Sequence, residues 1–299
     1  MRIMLYCLLF LTMHYQASFY GFTMDLIFFD LDGTLLNKSS EISPYTKDTL
    51  GLLAERDIAF TVATGRTMHS AQHVLKGTEF VLPHIYNNGV AIWDPSGKAL
   101  TLENLLAPSE VNTIVQCANE NRITPFVNTV DINSESNDHV IYHAIPQHQV
   151  ERDLIDKYFS RTDATLAPIE QLPAHAHITN ISMIGDAPLV YEMYQYLNNH
   201  DELIAYSGPA IEGDQYRWMD VHHQLANKGS AVEILKNKLG ASNVICFGDS
   251  DNDISMFELA DEAYAPSNAK QMIKDAATSI IGHHNEDGIA RFLRERFSL

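Results

Sequence analysis

The sequence predicts an α/β protein: a doubly wound, Rossmann-like parallel-sheet core carrying an inserted α+β cap domain. Three observations carry that expectation. Short continuous apolar runs stop abruptly at acidic or glycine-containing clusters, as strands covered on both faces do. Strand, polar loop and helix signals alternate in both terminal parts of the chain. Between those parts the texture changes to short alternating strands mixed with helices.

Leu26-Ile27-Phe28-Phe29 is the first apolar run, and it ends at Asp30-Leu31-Asp32-Gly33. After a polar loop, Ser43-Pro44 has the form of a helix start, with Ser as N-cap and Pro at the first helical position. Leu50, Leu52 and Leu53 give that helix its apolar face. Residues 58–63 form a second apolar strand ending at Thr64-Gly65-Arg66. Residues 90–224 contain the changed texture, with helices expected over 108–121 and 188–199 and a polar loop around Asn133-Ser134. A helical pattern over 231–239 stops at Gly240, and 244–247 is a third buried strand ending at Gly248-Asp249. The expected division is therefore an N-terminal extension over 1–23, core over 24–88, cap over 89–224 and core again over 225–299.

Composition excludes several classes of function. The 299 residues are 45% hydrophobic and 19% charged, ordinary values for a globular chain. A net charge of −18 argues against a nucleic-acid or anionic-membrane partner and for a small ligand met by local cations. Three cysteines without metal-type spacing fit a reducing, cytoplasmic setting. The run from Ile3 to Met13 is too short to span a bilayer. It has the outline of a secretion signal with a poor cleavage site, or lies upstream of a true start at Met24. The histidine pairs His175/His177, His222/His223 and His283/His284 do not form a convincing metal-ligand set.

Asp30 and Asp32 leave a strand two residues apart, so both carboxylates can point the same way. Thr64 and Asp249 occupy the corresponding ends of two other strands, where an open parallel sheet binds its ligands. Clustered carboxylates repel one another and a phosphate dianion, so a hard cation such as Mg2+ is expected there, with Asp249 as the third carboxylate. Asp30 is then placed to attack phosphorus and Asp32 to move the protons. Thr64, its loop amides and Lys228, just before the Gly229-Ser230 helix start, are candidates for gripping phosphoryl oxygens. Asp253 is placed to orient a metal-bound water or the Lys228 ammonium, and Asp251 to favour a helix beginning near Ile254.

Asp30-Leu31-Asp32-Gly33-Thr34, Thr64-Gly65-Arg66, Lys228-Gly229 and Gly248-Asp249-Ser250-Asp251-Asn252-Asp253 resemble, in order, the four motifs of the haloacid dehalogenase-like hydrolases. The set looks most like the Cof-type, or IIB, branch, and Tyr86-Asn87-Asn88-Gly89 resembles that branch's passage into its large cap. The resemblance implies a Mg2+-dependent phosphatase with Asp30 as nucleophile and metal ligand. It further implies Asp32 as acid/base and ligand through its backbone carbonyl, and Asp249 as the remaining carboxylate ligand. Thr64, Gly65, Lys228 and Asn252 are the implied phosphate binders. Asp32 itself argues for phosphoryl transfer, since the dehalogenases lack it. By the same resemblance the substrate is a sugar phosphate or a phosphorylated cofactor such as pyridoxal phosphate, held by a cap that closes over the crevice. The rivals are a phosphomutase of this fold and a non-catalytic sugar-phosphate sensor; the protein itself is expected to be a monomer or small homo-oligomer.

Overall fold

The computed structural model describes residues 24–78, 80–134, 137–157, 159 and 164–299, so the N-terminal extension lies outside the described residues. The first part of the chain runs β1 (Asp25–Phe29), α1 (Pro44–Glu55), β2 (Ala59–Val62), α2 (Met68–Leu75), β3 (His84–Tyr86), β4 (Ala91–Asp94) and β5 (Ala99–Leu102). Next come α3 (Pro108–Glu120), β6 (Phe126–Asp131), β7 (Asp138–His143), α4 (Gln149–Lys157), β8 (Thr165–Pro168), β9 (Ile178–Asp186), α5 (Ala187–Leu197), β10 (Leu203–Ala210) and β11 (Gly213–His223). The chain ends with α6 (Lys228–Leu239), β12 (Asn243–Phe247), α7 (Ile254–Leu259), β13 (Glu262–Pro266), α8 (Gln271–Ala276), β14 (Ser279–Ile281) and α9 (Gly288–Phe297).

The core is a five-stranded parallel sheet in the order β14-β13-β12-β1-β2, with β1 at its interior. Alternation along β1 explains why helices cover both faces. Ile27 and Phe29 pack with Leu50 and Leu53 of α1 and Leu293 of α9, while Leu26 and Phe28 pack with Val232 and Leu235 of α6 and Met256 of α7. Local signals set the ends of these helices. Ser43 accepts from the Thr46 amide at 3.0 Å at the start of α1, and Gly240 closes α6 with φ +69°. The expected helix start at Gly229 is one residue late: Asn227 is the N-cap, accepting from the Ser230 amide at 2.9 Å, and Lys228 is the first helical residue.

A small antiparallel sheet, β3-β4-β5, continues from the parallel one through a bridge between Ala63 and Ile85. Its Ala91, Trp93, Leu100 and Leu102 pack in the core cluster, although the sequence assigns 89 onward to the cap. In packing terms the cap starts at Leu106. Its own sheet has the order β10-β11-β9-β6-β7-β8 and is antiparallel except between β7 and β8. Helices α3 and α5 bury Ile114, Val190 and Leu197 against Val127, Ile181, Met219 and Val221 on one face of it. No helix among the described residues is long and apolar enough to cross a membrane.

Leu53 is fully buried between α1 and the sheet. Leu53→Ala is expected to lower stability by about 2–5 kcal/mol, read from the urea-unfolding midpoint at unchanged slope.

Burial lowers the imidazoles of His84, His139 and His222 to about 4. Because the unfolded histidines take up protons first, near pH ~6.5, their contribution to stability is complete above that value and is lost as the pH falls towards 4. Replacing His84, whose ring faces the Tyr86 hydroxyl at 2.7 Å, with Leu is expected to make the acid loss shallower. Unfolding curves between pH 7 and 4 check this; an unchanged slope would refute it.

Candidate active site

At the end of β1 the Asp30 amide still donates to the Phe247 carbonyl of β12 at 2.9 Å, so the sheet itself fixes where Asp30 stands. The chain then turns sharply, with Asp32 extended (ψ 127°) and Gly33 at φ +73°. Only glycine fits at position 33, since a Cβ there would lie 2.3 Å from Asp249 Oδ2. Asp249 itself follows β12, and its amide and that of Ser250 donate to Asp253 Oδ2 at 2.8 and 2.9 Å. Lys228, from the first turn of α6, joins these segments: its Nζ lies 2.6 Å from Asp30 Oδ1 and 2.6 Å from Asp253 Oδ1, fully buried.

The second strand end supplies a polar loop. The Thr64 amide donates to Ile85, and the Thr64 hydroxyl accepts from the Arg66 amide at 3.1 Å. Asn88, at φ +53°, donates its backbone N–H to the Thr64 carbonyl and accepts from Asn252 Nδ2 at 2.9 Å. A Cβ on Gly65 would come within 3.1 Å of Asn88 and 3.4 Å of Asn252, so the Thr64 loop and the Asn252 turn meet there.

The structure thus brings Asp30, Lys228, Asp249 and Asp253 together and seats Thr64, Gly65 and Asn252 beside one another. It does not align the two motif aspartates as their spacing suggests. Asp30 is buried on Lys228, whereas Asp32, its side chain 56% exposed, is gripped by Arg66 through two hydrogen bonds of 2.6 Å. The intervening turn re-aims the second carboxylate, which strand alternation cannot foresee. Asp251 pairs with Lys270 at 2.7 Å, near the surface.

Burial pushes the Asp30 carboxyl well above the ordinary carboxylate range, and the Lys228 charge pulls it back. Asp249 is raised to about 7, first by burial and then by the charge of Asp253. Among the described residues no ion pair joins Asp249 to a cation. Asp30, Asp249 and Asp253 each offer a carboxylate oxygen within 4.8 Å of the others. The Lys228 ammonium contacts Asp30 and Asp253 directly and acts on Asp249 only from a distance, as does Lys270, so Asp249 has no cation in contact, and all the donors are hard oxygens. This set fits Mg2+. Asp30 and Asp249 are the residues free to hold it, since Asp253 is spent on Lys228 and two backbone amides.

A cavity of about 370 Å3 opens from Gly65, Arg66 and Asn87 of the core to the cap sheet, where Asn180, Asp220 and His222 line it. Sequence reasoning missed Arg66 and Asn88 as site residues, although both stand inside quoted motifs. It also missed the cap residues, whose signal is the polar-apolar alternation of Trp218-Met219-Asp220-Val221-His222.

Removing the Lys228 charge leaves two buried carboxylates without a cationic partner, Asp253 keeping only its two backbone amides. Lys228→Met is expected to cost about 3–5 kcal/mol of stability near pH 8, and less as the pH falls and Asp30 takes up its proton. Chemical unfolding at two pH values reads both parts; an equal loss at both would show that the pair does not carry the effect.

Comparison with known proteins agrees with this geometry. The sequence model for haloacid dehalogenase-like hydrolases matches residues 27–293. The chain is 27% identical to 5-amino-6-(5-phospho-D-ribitylamino)uracil phosphatase YitU of Bacillus subtilis, over 92% of this chain and 98% of that one. It is 29% identical to HMP-PP phosphatase of Citrobacter koseri, over 89% and 93%. Pyridoxal phosphate phosphatase YbhA of Escherichia coli is 25% identical over 91% and 98%. The solved subclass IIB sugar phosphatase BT4131 superposes with a TM-score of 0.72, at 19% identity over 92% of this chain and 99% of that one. With the four motifs gathered at the ends of three parallel strands and a family match spanning nearly its whole described length, the chain belongs to the haloacid dehalogenase-like hydrolases.

Proposed function

We propose that the protein is a Mg2+-dependent phosphatase of a small phosphorylated metabolite, working through an aspartyl phosphate on Asp30. The observation that carries this reading is the buried Asp30 carboxylate held by Lys228 at the end of β1, with Asp249, which has no cation in contact, beside it. The substrate is a sugar phosphate or a phosphorylated cofactor such as pyridoxal phosphate, in keeping with the phosphorylated substrates named for the three relatives. A cytoplasmic setting suits the buried free thiols of Cys117 and Cys246.

In this reading Lys228 fixes Asp30 by one oxygen and leaves the other to attack phosphorus. The bond from phosphorus to the ester oxygen breaks as Asp32 delivers a proton to the leaving alkoxide. Asp32, now ionised, takes a proton from a water that attacks the aspartyl phosphate; inorganic phosphate leaves and Asp30 is regenerated. The Thr64 hydroxyl, the loop amides around Gly65, Asn252 and the Lys228 ammonium supply donors for the phosphoryl oxygens. Asp30, Asp249 and the Asp32 carbonyl would hold Mg2+, which would supply positive charge against the phosphate so that an anionic Asp30 could approach it. Arg66 must release Asp32 for either proton transfer, so the ion pair between them belongs to a resting arrangement. The cap excludes water during the first step.

Phosphate release from a panel of sugar phosphates, nucleotides and pyridoxal phosphate tests the proposal. Release is expected only with Mg2+ and is expected to vanish in Asp30→Asn; phosphate moved to a second hydroxyl without release would favour a mutase, and binding without turnover a sensor. Asp32→Asn is expected to slow the first step, read as alcohol release in a single turnover, by roughly 10²–10⁴-fold for alkyl phosphates and far less for p-nitrophenyl phosphate, because the latter's leaving group needs no acid. Equal first-step losses on both would remove Asp32 from the acid role.

A further inference from the structure

Three asparagines line the cavity between core and cap, and two of them are engaged. Asn128 and Asn180 each donate through Nδ2 to Ser182 Oγ, at 3.0 and 3.1 Å. Asn87 differs. It lines the core side of the cavity with Gly65 and Arg66 and is 4% exposed. Its side-chain amide has no partner at either end among the described residues. Oδ1 lies buried, and Nδ2, which is not shut off in that way, is the end open to the cavity.

The backbone accounts for an asparagine here only in part. Asn87 and Asn88 are both left-handed, at φ +47° and +53°, a conformation that asparagine tolerates better than most residues. Glycine would meet the same demand without burying an amide that nothing in the protein satisfies. The neighbours fix which way each residue faces. The Asn88 side chain turns to the Asn252 turn, accepting from Asn252 Nδ2 at 2.9 Å. Asn87 instead donates its backbone N–H to the Arg66 carbonyl at 2.9 Å, and the Arg66 guanidinium holds Asp32. Asn87 therefore stands on the side from which Asp32 would reach the leaving oxygen.

We propose that Asn87 is a specificity-determining residue: its Nδ2 donates a hydrogen bond to an oxygen of the substrate's organic part, on the second or third carbon counted from the ester oxygen. The proposal rests on the phosphatase reading of the site and adds to it a core contact made before the ligand reaches the cap sheet. An ester with a methylene in place of that oxygen leaves the amide unsatisfied in the complex and forgoes the hydrogen bond.

The test uses pairs of esters that differ by one ether oxygen: 2-methoxyethyl against butyl phosphate, and 3-methoxypropyl against pentyl phosphate. An ether oxygen accepts and cannot donate, so a preference for it reads the N–H end of the amide. In the wild type the ether member of at least one pair is expected to have a kcat/KM roughly 5- to 30-fold above its alkyl partner. Asn87→Gly keeps the left-handed backbone and should abolish that preference, its fold being checked by circular dichroism and melting temperature. Asn87→Asp keeps the shape, replaces the N–H by an anionic oxygen and should invert the preference. A residue present for its backbone alone would leave the preference unchanged in both variants. The corresponding phosphonates, 3-methoxypropyl against pentyl and 4-methoxybutyl against hexyl, cannot be hydrolysed and give the same comparison as equilibrium binding by calorimetry. No preference in either pair, or one that survives Asn87→Gly, would overturn the proposal; phosphate release without preference would leave the phosphatase reading standing alone. A phosphonate preference lost in Asn87→Gly, with no phosphate released from any ester, would sink the phosphatase reading and leave this one.

Discussion

The buried ammonium of Lys228 is the constraint on which the site depends. It ties Asp30, which is 198 residues away in sequence, to Asp253, 25 residues on, and it does so where water cannot compensate either charge. Burying three such charges is unfavourable unless geometry and further hydrogen bonds offset the loss of water. The surroundings meet that condition: Asp253 also receives the amides of Asp249 and Ser250, which fixes the turn after β12. That turn brings Asp249 so close to Gly33 that no side chain fits between them. One cation therefore determines the position of Asp30, the shape of a loop and the identity of a glycine.

Much of this was legible in the sequence, for physical reasons that differ from place to place. Apolar runs such as Leu26 to Phe29 announce strands buried on both faces, and the acidic or glycine-containing cluster after each run marks the crevice end. Ser43 and Gly240 mark helix termini because their own chemistry satisfies the terminal backbone groups. What was not legible depends on contacts between segments. The turn at Gly33 sends Asp32 to Arg66, and no spacing rule contains that information. Assignment of residues 91–102 to the core likewise follows from the packing of Trp93 and Leu100, not from their local pattern, which is that of any antiparallel hairpin.

The cap illustrates a signal present in the sequence but not separable from the ordinary one. Alternation along β11 tells that one face is polar, and solvent usually faces polar residues. Here the polar face looks into a cavity shared with the Thr64 loop. In the proposed phosphatase the two domains would divide recognition accordingly: groups to grip phosphate come from the ends of core strands, and groups to meet the rest of a ligand from a sheet with its own hydrophobic cluster. Changes on the cap face can alter what is bound without disturbing Asp30, Lys228 or Asp249.

Strand order also has a bearing on how the chain assembles as it leaves the ribosome. Every strand of the cap sheet falls between residues 126 and 223, so that sheet can close while the chain is still being made. The parallel sheet has no such independence, because β1 pairs with β12, and Asp25 meets Asn243 only after the whole intervening cap has been synthesised. Until then β1 has one neighbour, β2, and an open edge on its other side. Contacts of such long sequence separation are slow to form, so Asp30 is translated long before the Lys228 and Asp249 that complete its surroundings.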